Sequence, residues 1–164
     1  MIHSVRSLLA RFRNLYTSRP ALNTSREKVA LITLLFACDQ TLARSSDQKE
    51  QRLVNLLLDH QLLLGTSEPA ELIGIARKQY EKIGNPYLVI NQAIPFIRES
   101  YRPLMLFYVM TLLWADGNIT NHKDHVLEYV KKALAISDED MLDLMEVALV
   151  QMPINQTIIE LVDL

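Results

Sequence analysis

No stretch of this chain alternates apolar and polar residues long enough to make a half-buried strand. Apolar residues instead recur every three or four positions nearly everywhere. Only four glycines interrupt the 164 residues, and half the residues are hydrophobic, enough for a chain this long to bury a real core. The chain is therefore expected to be all-α. Start and stop signals divide it into about eight or nine helices. Thr24-Ser25-Arg26-Glu27 reads as a capping box that opens a helix through about Cys38. Ser45-Ser46-Asp47-Gln48 opens another, carrying Leu53, Leu56, Leu57 and Leu63 and stopped by Gly65. Ser67-Glu68-Pro69 starts a helix with Pro in its first turn, and Gly84-Asn85-Pro86 breaks the chain. A short apolar helix follows, disturbed by Pro95, and Pro103 starts one that runs through Ala115. Asn121 or Thr120 caps the next, Ser137-Asp138-Glu139-Asp140 the next again, and Pro153 opens a last one.

Charge is nearly balanced, 17 basic residues against 19 acidic, which argues against a dedicated nucleic-acid binder. The balance is uneven along the chain. Residues 1–26 hold five Arg and no acid, so the remainder carries a net charge of −7. Ile2, Val5, Leu8, Leu9, Phe12, Leu15 and Tyr16 make one helical stripe in that first segment, beside Arg6, Arg11, Arg13 and Arg19. A stripe of this kind packs on its own domain, with the Arg facing the acidic body. The same composition suits an anionic membrane surface and resembles a transit peptide. Residues 1–22 are thus read as an amphipathic basic helix packed on a helical domain of residues 23–164. No apolar run is long enough to span a bilayer, and no continuous apolar signal region opens the chain. The single cysteine, Cys38, allows no internal disulfide and reads as a small buried hydrophobe. A cytoplasmic location is expected, with membrane association through the first helix as an addition.

The chain repeats itself. FACDQTLARSSDQKEQRLVNLLL (36–58) lies over LWADGNITNHKDHVLEYVKKALA (113–135) at an offset of 77. Asp39 falls on Asp116, Leu42 on Ile119, Asp47 on Asp124, Leu53 on Val130 and Leu57 on Leu134. The unit is helix, Asp-containing loop, helix, cap, helix, at about 25–82 and again at 102–150. Two such units face to face would make a pseudo-twofold helical domain.

The second copy, from LLWADGNIT through LAIS (134–137), resembles the tellurite-resistance TerB-like family. The hallmark of that family is an apolar helix ending Ala-Asp-Gly, then a residue and Ile, then a Ser/Thr turn. An amphipathic helix follows and ends in a Leu-Gly-Leu-Ser-like cap. The resemblance covers roughly residues 25–150. It implies an all-helical, internally duplicated domain without enzymatic activity, working with other proteins in stress or tellurite resistance. A related domain stands at the front of membrane-bound DnaJ-like (DjlA-like) co-chaperones. It also implies a cluster of acidic residues binding a divalent cation, here Asp39 and Asp116 with Asp47 and Asp124. Calcium, magnesium, manganese and zinc are the candidates. The family's acidic residue seven positions after the motif Asp is replaced by Ser46 and Lys123. Asp47 and Asp124 come one residue later, which turns the side chain by about 100° on a helix.

Each candidate has a plainer reading. Asp and Gly at positions 116 and 117 also end helices and satisfy backbone groups. Asp47 and Asp124 lie in first turns, where a negative charge is favoured by the helix dipole. An EF-hand does not fit, because Asp116 as loop position 5 would put Leu112, Trp114 and Lys123 at positions 1, 3 and 12. His122 and His125, three apart at a helix start near Asp116 and Asp124, could hold zinc together with carboxylates, but no cysteine lies nearby, there is no HExxH arrangement, and histidines on a polar helix face are the plainer reading. Met105, Phe107, Tyr108, Met110 and Trp114 read as core rather than as a cofactor box. A self-associating scaffold, or a membrane-peripheral protein anchored by the first helix, stands as the alternative class.

Overall fold

The computed structural model describes residues 25–42, 46–59, 69–115 and 119–151. Among them are seven α-helices and two 3₁₀ turns, with no strand. The helices are α1 (Ser25–Gln40), α2 (Ser46–Asp59), α3 (Pro69–Ile83), α4 (Pro86–Ala93), α5 (Arg102–Leu113), α6 (Asn121–Ala133) and α7 (Asp138–Gln151). The 3₁₀ turns, Ile94–Phe96 and Glu99–Tyr101, separate α4 from α5. The all-α expectation holds. The helix count among the described residues is seven, not eight or nine. Two of the expected helices, over residues 1–22 and after Pro153, lie outside the described residues, as do Gly65 and Ser67.

Two helices carry the architecture. In α1 every residue from Ala30 to Asp39 is buried, and in α5 every residue from Leu104 to Met110 is buried, as are Leu112 and Leu113. A helix that is apolar all round has no face to offer water and must be enclosed. α1 and α5 pack on one another, and the remaining helices cover them: α2, α3 and α4 lie on α1, while α6 and α7 lie on α5. These outer helices are amphipathic. α2 sends in Leu53, Leu56 and Leu57, and α6 sends in Val126, Leu127 and Val130. Phe36 of α1 meets Tyr80 of α3 edge to face, ring centroids 5.6 Å apart. Met105, Phe107, Tyr108, Met110 and Trp114 are all buried, as expected of core residues.

The joints are built from local chemistry. Gly84 ends α3 at φ 74° with its N–H on the Tyr80 carbonyl, a backbone region that glycine enters at no steric cost. Asn85 is extended, and its side-chain oxygen accepts from the N–H groups of Tyr87 and Leu88 at 3.0 and 3.4 Å. Pro86 then occupies the first helical turn. Pro95, which has no N–H to donate, falls where α4 gives way to the 3₁₀ turn. Thr120 caps α6 through Lys123 N–H (3.2 Å), and Ser137 caps α7 through Asp140 N–H (3.1 Å).

One ion pair ties the 3₁₀ segment back to α1. The buried Glu27 carboxylate accepts from Arg98 Nε and Nη2 at 3.1 and 2.8 Å, and the same guanidinium lies 5.0 Å from the Tyr101 ring centroid. That hydrogen bond holds the Arg98 pKa above its ordinary value. A second pair closes the α6–α7 turn. The largely buried Lys131 donates to Asp138, and also to Glu128 at 3.4 Å. Its hydrogen bond holds the Asp138 carboxyl below the usual carboxylate range, and Asp138 in turn holds Lys131 above the usual lysine range.

Two predictions arise from the α6–α7 turn. α6 ends in a Schellman motif, with Ile136 N–H on the Lys131 carbonyl and Ala135 N–H on the Lys132 carbonyl, both 3.1 Å. The motif puts Ala135 at φ 57°. A left-handed conformation costs a non-glycine residue roughly 1–2 kcal/mol. Part of that is offset by glycine's greater entropy when unfolded. Ala135→Gly is expected to stabilise the domain by about 0.5–1 kcal/mol, read as a higher urea midpoint at unchanged slope. For the Lys131–Asp138 pair, the depressed carboxyl contributes stability above the unfolded carboxylate pKa and loses it as pH falls through the folded value. The raised ammonium contributes below the unfolded lysine pKa and loses it as pH rises through the folded one. The gap in thermal midpoint between parent and Lys131→Met should therefore be flat from about pH 5 to 9 and close below about pH 4.

Candidate functional site

The first Asp loop begins inside the core. Asp39 lies in the last turn of α1 and is 0 % exposed, directly after the fully buried Cys38. The chain leaves the helix through a tight turn. Thr41 places both its N–H (3.2 Å) and its hydroxyl (2.6 Å) on the Cys38 carbonyl, and Leu42 N–H meets the Asp39 carbonyl at 3.1 Å. Leu42 then turns back into the core.

α6 meets this exit. His122, in the first turn of α6, lies with Nε2 2.7 Å from the Thr41 carbonyl, eighty-one residues away in sequence. A carbonyl only accepts, so Nε2 carries the proton of this hydrogen bond. The helix that follows one Asp loop is therefore pinned to the chain that leaves the other. Lys123, the next residue, is only 5 % exposed, an unusual place for a lysine. It is the residue that stands where the TerB-like pattern has an acid.

The other candidates are placed as follows. Asp124 lies in the first turn of α6, exposed, its N–H on the Thr120 carbonyl, which fits the helix-end reading. Asp47 belongs to the first turn of α2, but its side chain is not among those described, and Asp116 and Gly117 lie outside the described residues. So do Arg6, Arg11, Arg13 and Arg19. Among the described residues no three His, Cys, Asp or Glu side chains stand together as a metal-binding group. His122 and His125 serve different neighbours. His125 stands edge to face with Tyr87 of α4, at 6.4 Å between centroids. Tyr87 in turn packs on Tyr129 at 4.7 Å, and Asn91 donates to the Tyr129 hydroxyl at 2.7 Å.

Sequence reasoning missed the His122–Thr41 contact, the Glu27–Arg98 pair and the burial of Lys123. The single available signal was Glu27 at the start of an otherwise apolar helix, a charge that needs a partner once the helix is enclosed.

Fold and joint together define, among the described residues, an all-helical domain with a buried carboxylate in the last turn of α1, beside the turn that α6 contacts. Among the described residues no helix is long and apolar enough to cross a membrane. Compared with protein-family models, curated proteins and solved structures, the chain matches none.

Burial and, secondarily, the Asp39 charge push the Cys38 thiol well above its ordinary pKa. Cys38 should therefore resist a disulfide reagent such as DTNB at pH 8 in the native protein and react fully after denaturation. Appreciable labelling of the folded chain would contradict the enclosed joint.

Proposed function

We propose that this chain is a non-catalytic TerB-like binding module, duplicated internally, that takes a divalent cation between the Asp39 and Asp116 loops and docks proteins of a stress response. The observation that carries the reading is the joint itself. A carboxylate withdrawn entirely from water stands at the exit of α1, and His122 ties that exit to the helix that follows the second Asp loop.

Two further features favour the duplication. α1 and α5 begin 77 residues apart, the offset of the sequence repeat, and each leads into an Asp loop and an amphipathic helix. Ala135 holds the positive φ that a glycine would hold in the family's Leu-Gly-Leu-Ser-like cap. The third helices depart from the offset, since α3 begins at Pro69 and α7 at Asp138.

The described donors do not complete a cation site by themselves. In this reading Asp116 supplies the second carboxylate, and Lys123 opposes the ion with its own charge. Calorimetric titration of metal-stripped protein with calcium, magnesium, manganese and zinc tests it. The parent should bind at least one of them. Asp39→Asn/Asp116→Asn should weaken that binding at least tenfold, and Lys123→Gln should tighten it, in variants whose thermal midpoints show them folded. No binding of any of the four ions by the parent would remove the cation from the reading.

A further inference from the structure

A groove of about 540 Å³ runs between α1, α3 and the end of α4. Its walls come from the first half of α1 (Arg26, Val29), from α3 (Ile75, Gln79), and from Gln92 and Phe96 at and just beyond the end of α4. Phe96 is 51 % exposed and Ile75 37 %, so two large apolar side chains left in water meet in one depression. The floor is continuous with the core through Ala30, Val89 and Ala93, all buried. Leu88, Ile119 and Leu142, the other large hydrophobics exposed among the described residues, do not line it. The apolar surface is thus gathered in the groove and does not spread around it. Its volume falls within the roughly 300–1,000 Å³ of small-molecule sites, and a stable protein interface needs a far broader patch.

The polar part of the lining favours an anion. Arg26 is its charged residue, Gln79 and Gln92 carry amides able to donate, and no acid lines the groove among the described residues. Glu27, the acid next to Arg26 in sequence, is buried and held by Arg98. Ile75 and Gln79 also border a second depression, which carries Lys78 and Lys82 against Glu81. Positive charge therefore stands on the α1 side and on the α3 side of the groove, in a chain that is net −7 beyond residue 26. Arg26 lies in the first turn of a helix of 16 residues, the end at which a negative charge is favoured.

We infer that this groove binds a medium-chain fatty acid, its carboxylate on Arg26 and its alkyl chain along Ile75 and Phe96. Withdrawing the chain and those two side chains from water drives the binding. The guanidinium accepts the carboxylate through paired N–H donors and so decides which end of the ligand lies at the start of α1. The groove-lining part of α1, Arg26 to Thr33, rises about 10 Å, which sets the length of chain that the apolar floor can cover. A neutral or cationic amphiphile meets the same floor but brings nothing for Arg26. The inference does not depend on a cation at the joint.

The test is calorimetric titration of the full chain with octanoate, decanoate, decanol and decyltrimethylammonium, each below its micelle concentration. Decanoate should bind one to one and more tightly than octanoate, by up to about fourfold for each added methylene. Decanol and decyltrimethylammonium should bind the parent at least about tenfold more weakly than decanoate, the lower end of what a hydrogen bond to a charged group contributes. Arg26→Gln should abolish that preference for the acid, and Phe96→Gln should weaken decanoate and decanol alike. Both positions are exposed, so the variants should melt with the parent. No binding of decanoate by the parent would overturn the inference, as would equal binding of the alcohol or the ammonium ion. These outcomes are read on the parent alone and need no variant to fold. A preference for the acid that survives Arg26→Gln would also overturn it.

Discussion

Two helices with no polar face cannot exist in water, and most of this domain follows from hiding them. α1 and α5 are buried along nearly their whole length, so each needs partners on every side. They satisfy one another on one side. On the others they need surfaces that are apolar inward and polar outward, which α2, α3, α4, α6 and α7 supply. The connections must then be short and must sit at the ends of the two buried helices. That is why the polar chemistry of the described chain gathers at helix ends.

Burial sets the character of each polar group found there. Glu27 enters the core at the start of α1 and takes Arg98 from the 3₁₀ segment, which fixes the path from α4 to α5. Asp39 enters at the other end of the same helix, where the chain turns sharply and receives His122. Lys131 leans across the α6–α7 turn to Asp138 and meets Glu128 on its own helix. Each is a charge near the end of a helix.

What could be read from the chain was local. Caps by Thr120 and Ser137, the break at Gly84-Asn85-Pro86, the disturbance at Pro95 and the helix start at Pro69 depend on residues within a few positions of one another. The core was legible too, because periodicity reports burial directly. The candidate site was legible only as a pattern. Asp39 was found by repetition, but nothing in its neighbourhood gives its complete burial or the hydrogen bond that His122 sends to the next turn from eighty-one residues away. Lys123 shows the limit most clearly. Read along the helix it looks like a solvated charge next to two histidines, yet its side chain is enclosed, because three-dimensional packing and not local polarity decides what the first turn of α6 faces. The groove escaped for a related reason, since Ile75 and Phe96 look like core residues in their own segments and become exposed only when the helices are assembled.

The joint and the groove share α1. Residues 26–33 wall the groove, and Asp39 and Thr41 form the joint, roughly 10–20 Å further along the same axis at a rise of 1.5 Å per residue. Between them α1 is packed on all sides, and close-packed interiors pass on displacements instead of absorbing them. Filling the groove therefore reaches the joint in one way, by moving α1 as a rod against α5. Such a shift would change the distance between Thr41 and His122, because that hydrogen bond ties the end of the rod to α6. If α1 does not move, the groove and the joint are independent sites on one scaffold, and the His122 contact is a fixed strut. The length of that single hydrogen bond thus distinguishes a coupled module from a rigid one.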